Sequence, residues 1–338
     1  MSHKRAKLDP TPSLKVIGTH SGTFQADEAM GVWMLRQIID FRNSKVIRSR
    51  DPEVLKDLDI VLDVGGIYDH SALRYDHHQR GYEEYFSEGR CTKLSASGLI
   101  YRHYGKEIIK TYYQDLAEEE LEWAYDKIYD SLLEALDAID TGVEPAESLA
   151  YKDGTGLSQR VSRLNPRWNE KTEDGLEPNI DKRFEAASNL CGEDFTAVMT
   201  KIVESDLPAR EVVEKAVLDR FNIDASGEIL SFPEGGLPWR GHLYDMEKKH
   251  KLETEIKFVL YPDQSGMWRV QAVTVEGKAF ENRLSLPEKW RGVRDEDLTS
   301  ISGISGCKFC HAAGFIGGND TFEGAKEMAK AALKERSF

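Results

Sequence analysis

Three short apolar segments of this chain each run directly into acids and histidines, and that alternation restricts the fold more than any other property of the sequence. Residues 15–19 (KVIGT) end at His20 and are followed by Gly22, Gln25 and Asp27. Residues 60–64 carry Asp63 at the end of an apolar run closed by Gly65 and Gly66. Around Leu73-Arg74-Tyr75 another segment delivers Asp76, His77 and His78. Residues 45–49 read as a further strand, and residues 26–39 keep Ala29, Val32, Trp33, Leu35 and Ile38 at helical spacing. This strand–helix–strand rhythm predicts an α/β domain with a mainly parallel sheet. In such open sheets binding sites lie beyond the carboxyl ends of the strands, so these polar residues are expected to meet in one pocket.

A chain of 338 residues favours two domains. The expected layout is a flexible tail at 1–13, a metal-binding α/β domain at 14–190, a helical connector at 191–222 and a smaller α/β domain at 223–338. Helices are expected at 94–104 and 117–139, the second stopping at Asp140-Thr141-Gly142 with Gly142 as cap. Residues 152–182 read as a long polar loop. In the second domain, apolar runs at 255–261 and 268–273 flank Pro262–Gly266 and predict a hairpin. A later strand at 308–311 and a helix at 322–333 follow. No long apolar run predicts a membrane span, and Met1–Lys7 is not followed by the apolar stretch of a secretory signal. Cys91, Cys191, Cys307 and Cys310 are expected to be reduced thiols in a cytosolic or nuclear compartment. The net charge of −14 argues against a duplex-DNA binder with a uniformly basic face, but a local cleft of arginines and metal ions can reverse the sign where phosphates sit.

Imidazole and carboxylate together suit Mn²⁺, Zn²⁺ or Fe²⁺, whereas an all-oxygen set suits Mg²⁺ better. Two ions about 3.5–4 Å apart can share a carboxylate, activate a nucleophile and neutralise charge on phosphoryl oxygens. The constellation therefore points to a metal pair acting on phosphoester bonds. Asp63 is the candidate for the shared carboxylate; the competing reading is a turn-initiating Asp before two glycines. His77 and His78 are adjacent and point in different directions, so one can ligate metal and the other can face substrate. Asp140 has a rival in Asp137, nearly one helical turn earlier, and spacing alone does not choose between them. Arg80, Arg160, Arg163, Arg283, Arg291 and Arg294 lie in loop-like contexts, where guanidinium forks can hold phosphate or can simply be solvated. Gly317 and Gly318 before a helix can expose backbone N–H groups to a phosphate or sugar, with His311 and Asn282 as further polar contacts.

Asp76-His77-His78 resembles the signature of the DHH phosphoesterases. The longer match is to one eukaryotic branch, the melanocyte-proliferating-gene family. It is carried by GTHSGTFQADE (18–28), DVGG (63–66), YDHHQR (75–80), TGLSQRVSRLNPRW (155–168), FPEGGLPW (232–239), WRVQAV (268–273), ENRLSLPEKW (281–290) and HAAGFIGG (311–318). The resemblance implies an N-terminal domain of the DHH type carrying two metals and a C-terminal domain that binds substrate through the region of Gly317 and Gly318. It implies His20 as a ligand of one metal, Asp27, His77 and Asp140 as ligands of the other, and Asp63 as the bridge. Asp76 would orient an imidazole, and His78 would contact phosphate. The implied activity is a 3′-to-5′ exoribonuclease that releases 5′-nucleotides from single-stranded RNA by a metal-bound hydroxide. Two divalent ions are implied, with Mn²⁺ preferred and Mg²⁺ as the alternative. The implied compartments are the mitochondrion and the nucleus or nucleolus, and a homodimer is the general prior. One departure matters: Gln25 stands where the family usually has a metal-ligating histidine, which predicts a weak first metal site. Two other functions remain open, a small-molecule or short-oligonucleotide phosphohydrolase and a non-catalytic RNA-binding protein.

Overall fold

The computed structural model describes residues 14–335 except 173–175 and 177, so the expected tail lies outside the described residues. The chain divides into two units between Val203 and Glu204. In the first unit the order is β1 (Val16–Thr19), α1 (Ala26–Leu35), β2 (Lys45–Arg48), α2 (Pro52–Leu55), β3 (Ile60–Leu62), β4 (Tyr68–Asp69) and β5 (Arg74–Tyr75). Helices α3 (Ala96–Tyr112), α4 (Glu118–Ile128), α5 (Glu134–Thr141), α6 (Leu157–Ser162) and α7 (Ile180–Lys201) follow. The sheet order is β2-β1-β3-β5-β4, with β2, β1, β3 and β5 parallel and β4 antiparallel at the edge. Three parallel strands therefore release their next residues, His20, Asp63 and Asp76, at one edge of the sheet. The apolar positions of α1 meet α3 and α7 in a core that includes Met30, Leu35, Leu99, Ile100 and Phe195. Burying each such side chain contributes about 1.5–3 kcal/mol.

Three expectations need adjustment. The helix read at 117–139 is interrupted by a π-helical turn at Tyr129–Leu133 between α4 and α5. It ends as expected on Gly142, in the left-handed conformation (φ 76°). The polar stretch at 152–182 is not all loop: α6 lies within it. The stretch read as a connector, 191–222, is shared out. Residues up to Lys201 complete α7 and pack on α1, whereas α8 (Leu207–Leu218) packs on α10 (Trp239–Lys249) in the second unit.

The second unit adds α9 (Arg220–Ile223), β6 (Ile229–Ser231), β7 (Phe258–Pro262), β8 (Trp268–Ala272), α11 (Asp295–Ser302), β9 (Cys307–Cys310), β10 (Ile316–Asn319) and α12 (Phe322–Glu335). Its sheet order is β6-β7-β8-β10-β9, antiparallel except for β6–β7. The expected hairpin is present as β7–β8. Its turn is closed by the Asp263 carboxylate, which accepts from the backbone N–H of Ser265 (2.8 Å) and Met267 (3.1 Å). Cys191, Cys307 and Cys310 are buried and Cys91 is exposed, all as free thiols. No helix among the described residues is long and apolar enough to cross a membrane.

The β4–β5 hairpin, which leads into Asp76, is clamped to α3 by an imidazole pair. His70 stacks on His103 with ring centroids 3.7 Å apart and planes 3° apart. Each ring also meets a phenol, His70 with Tyr75 (2.6 Å) and His103 with Tyr68 (2.8 Å). Burial, then His70 and Arg102, outweigh Glu84 and hold the His103 pKa down at about 4. The unfolded chain therefore takes up this proton near pH 6.5, while the folded protein refuses it until about pH 4. The His103 contribution to stability should fall as pH drops through that window and stay level above it. The full effect is discounted for partial exposure to about 1–2 kcal/mol. By urea unfolding, the stability of the parent relative to His103→Phe should be lower at pH 4.5 than at 7.5 by this amount; an unchanged difference would remove His103 as the cause.

Candidate metal centre

Asp63 leaves β3 with φ at +56°, a conformation that asparagine and aspartate tolerate better than most residues. The turn continues through Gly65 and Gly66, both at positive φ. It brings the Gly66 N–H to Asp76 Oδ2 (2.5 Å), while Asp76 Oδ1 accepts from His78 N (3.0 Å) and meets His78 Nδ1 (2.8 Å). Burial alone would raise the Asp76 pKa, but these hydrogen bonds hold it below the usual carboxylate value. Asp76 is thus an anion that fixes the exposed His78 ring, and His78 stacks on His77 with centroids 4.1 Å apart. His77 is buried, with Nε2 3.0 Å from Asp140 Oδ2 and Nδ1 4.0 Å from Asp63 Oδ1.

Asp27, in the first turn of α1, points at the N-terminus of α3. It accepts from the Ser97 N–H (2.7 Å), the Ala96 N–H (3.1 Å) and the Ser95 hydroxyl. That helix end offers unpaired N–H groups and a partial positive charge. Even so, burial and then Asp140 and Asp63 push the Asp27 pKa well up. Asp137 and Asp140 have different surroundings. Asp137 is fully buried and engaged by Ser95 N (2.9 Å), Ser95 Oγ (2.6 Å) and the Tyr129 hydroxyl (2.7 Å). Its approach needs Gly98, where any Cβ would collide with the Asp137 carboxylate. Burial outweighs those hydrogen bonds and sets the Asp137 pKa at about 7. Asp140, a turn later, is the one that meets His77.

On the other side, His20 Nε2 lies 3.0 Å from Glu28 Oε1 and 3.3 Å from Asp63 Oδ2. Glu28 also accepts the backbone N–H of Gln25 (2.9 Å), closing the start of α1. Gln25 itself is exposed at the N-cap. Glu28 is the residue that sequence reasoning missed: an acid at the third helical position reads as a capping residue, and it is one, but it also faces His20. Burial opposes a charge on His20, yet Asp63 and Glu28 outweigh it and hold the imidazole's pKa at about 10. Burial likewise opposes a charge on His77, and Asp140, Asp27 and Asp63 override it, to about 9. The carboxylates thus demand positive charge from protons or from cations.

The donors fit cations. Buried Glu28 Oε2, Asp63 Oδ1, His77 Nδ1 and Asp140 Oδ2 have no hydrogen-bond partner among the described residues, and such atoms are costly to leave unsatisfied. Donor atoms lie within 4.8 Å of one another in each of three sets: Asp27, Asp63, His77 and Asp140; His20, Glu28 and Asp63; and Asp63, Asp76, His77 and His78. Asp63 belongs to all three.

The other expected site residues fare differently. Arg80 is exposed in the segment that follows His78. Arg160 is paired with Asp194 (2.6 Å), and Arg163 donates to the Gly154 carbonyl (2.9 Å). Arg283 is buried in a two-pronged pair with Glu247 (2.7 and 2.8 Å), an internal structural bond and not a presented phosphate fork. Arg291 donates to the Leu286 carbonyl (3.1 Å), and exposed Arg294 lies over the Phe309 ring. Gly317 and Gly318 are also corrected. They sit inside β10, paired on both edges by β8 and β9, so their N–H groups are directed into the sheet and not at an anion. There they allow close packing: a Cβ at Gly317 would meet Met328 at 2.9 Å, and one at Gly318 would meet Arg269 at 2.6 Å. His311 is exposed and accepts from the Ala313 N–H (3.1 Å), and Asn282 donates to Ser285 (2.9 Å).

A family model described as an uncharacterised protein family (UPF0160, MYG1_exonuc) matches residues 16–333. The chain belongs to this MYG1 family. It is 45% identical to the MYG1 exonuclease of Rattus norvegicus over 333 residues, covering 95% of this chain and 85% of that protein. It is 45% identical to the MYG1 protein of Dictyostelium discoideum (94% and 96% covered) and 42% identical to the MYG1 protein YER156C of Saccharomyces cerevisiae (98% and 99% covered). Among solved structures, RecJ from Thermus thermophilus in complex with Mn²⁺ shares 16% identity, with 94% of this chain and 52% of that one covered and a TM-score of 0.24. That superposition is too loose to assign a fold.

Two measurements check the centre. A ligand at 100 times its dissociation constant stabilises a protein by about 2.7 kcal/mol, so Mn²⁺ should raise the melting temperature measurably. Asp63→Asn, which keeps tolerance of the left-handed turn, should lose most of that rise with an unchanged circular dichroism spectrum; a retained rise would take Asp63 out of the centre. Metal content by plasma mass spectrometry should fall in Glu28→Gln and increase in Gln25→His, and identical occupancy in all three proteins would contradict the role given to Glu28.

Proposed function

We propose that this chain is a metal-dependent phosphodiesterase that removes nucleotides from the 3′ end of single-stranded RNA. The observation that carries this reading is the position of Asp63, a buried carboxylate shared by a His20–Glu28 set and an Asp27–His77–Asp140 set, each with unsatisfied donors. The relatives named exonucleases in rat, mouse and human support an exonuclease activity, and the DHH-like motif supports phosphoester chemistry. Divalent cations, Mn²⁺ or Mg²⁺, held by these two sets would supply Lewis acidity toward the phosphorus and an activated water.

The protein's own part is positional and electrostatic. Asp63 ties the two sets together, and Asp27 is oriented by the start of α3. Asp76 accepts from His78 Nδ1, so His78 Nε2 presents a lone pair when the ring is neutral and an N–H when it is protonated. His78 is more than half exposed, so it can reach a phosphate oxygen or the leaving oxygen. The proposal takes single-stranded RNA as the partner and the mitochondrion and the nucleus or nucleolus as compartments.

The test is a product assay. RNA labelled at its 5′ end should shorten stepwise from the 3′ end with Mn²⁺ present, releasing 5′-nucleotides, and chelation should stop it. Asp63→Asn should lower the rate at least 100-fold. Metal-dependent hydrolysis that persists in Asp63→Asn, or RNA binding with no product, would refute the reading.

A further inference from the structure

A cavity of ≈ 350 Å³ opens beside the Asp27–Asp140 side of the centre, and one of its walls is α6. Its volume falls at the small end of ligand pockets, which run from about 300 to 1,000 Å³. The charged groups lining it are Asp27 and Asp140 themselves; among the described residues no lysine or arginine lines it. The α6 region does carry Arg160 and Arg163, but both are turned to other partners. What α6 presents is neutral: the hydroxyls of Ser158 and Ser162 and the amide of Gln159. None of these three side chains makes a hydrogen bond among the described residues. Opposite them α5 contributes Leu136 and Ile139, and Ile139 is 56% exposed.

The wall is fixed to the metal-binding turn. Asn165 Oδ1 accepts the Phe24 N–H (3.0 Å), and Asn165 Nδ2 donates to the Phe24 carbonyl (2.8 Å). The side-chain amide thus pairs with the backbone immediately before Gln25 and Asp27, as a neighbouring strand would. The cavity is therefore held in register with the ligands, and such preorganisation favours binding.

We infer that this cavity takes the sugar and base of the nucleotide whose phosphate meets the metal centre. A further phosphate there would face carboxylates with no cationic side chain lining the space, at a large electrostatic cost. A nucleoside instead offers hydroxyls and base edges to Ser158, Gln159 and Ser162, and an apolar ring face to Leu136 and Ile139. The assignment rests on the phosphodiesterase reading, but it can fail separately.

The test uses the full chain with Mn²⁺, titrated calorimetrically with uridine 5′-monophosphate and, separately, with inorganic phosphate. The nucleotide should bind at least 10-fold more tightly than phosphate. Gln159→Ala, and Ser162→Tyr as a filling variant, should lose that advantage while phosphate binds as before, with folding checked by circular dichroism. Equal affinity for the two anions in the parent, or an unchanged nucleotide advantage in both variants, overturns the inference. Hydrolysis of a dinucleotide by the parent is measured alongside. A nucleotide advantage without hydrolysis would leave the cavity assigned and sink the phosphodiesterase reading; hydrolysis without the advantage would do the reverse.

Discussion

Carboxylates crowded beneath the surface of the first unit are the constraint on which the rest depends. Asp27, Glu28, Asp63, Asp76 and Asp137 are buried, and Asp140 is nearly so. Such a group cannot persist without compensation, because burying a charge is costly unless it is paired and hydrogen-bonded. Each acid is compensated differently. Asp76 is held by N–H groups and the His78 ring, and Asp27 by the start of α3. Asp137 is held by Ser95 and Tyr129. Glu28, Asp63 and Asp140 look toward His20 and His77 and keep lone pairs unsatisfied. Those unsatisfied lone pairs are what a divalent cation could take up.

The fold concentrates this charge by simple means. Parallel strands end on the same edge, so β1, β3 and β5 bring His20, Asp63 and the Asp76–His78 segment together without long loops. The start of α1 and the end of α5 close the site from the helical layer. Close approach is secured at two glycines: Gly31 lets α1 lie against Leu62 of β3, and Gly98 lets Asp137 reach the start of α3. A methyl group at either position would displace what it touches.

Much of the centre was legible because strand ends and helix starts are local features. His20, Asp63, Asp76 and His77 stand where apolar runs stop, and Gly142 marks the end of α5. The illegible parts have one physical origin. Asp137 and Asp140 share a helix face, and their different partners are distant in sequence: Ser95, 42 residues from Asp137, engages Asp137, and His77 meets Asp140. Arg160 and Arg283 looked free in loops, but Asp194 and Glu247, 34 and 36 residues distant, neutralise them. Gly317 and Gly318 did not read as a strand because glycine weakens strand propensity, and pairing by β8 and β9 overrode it.

The sequence by itself determined the order of strands and helices, the parallel sheet of the first unit and the residues stationed at its strand ends. Those follow from apolar period and from the backbone preferences of glycine, which act over a few residues. The tertiary structure decided which acid meets which imidazole, that Glu28 joins His20, that the arginines of the 155–168 segment turn away, and that a neutral cavity remains beside Asp27 and Asp140. Charge pairing and desolvation act between groups a few ångströms apart in space whatever their separation along the chain, so nothing short of the folded arrangement sets them.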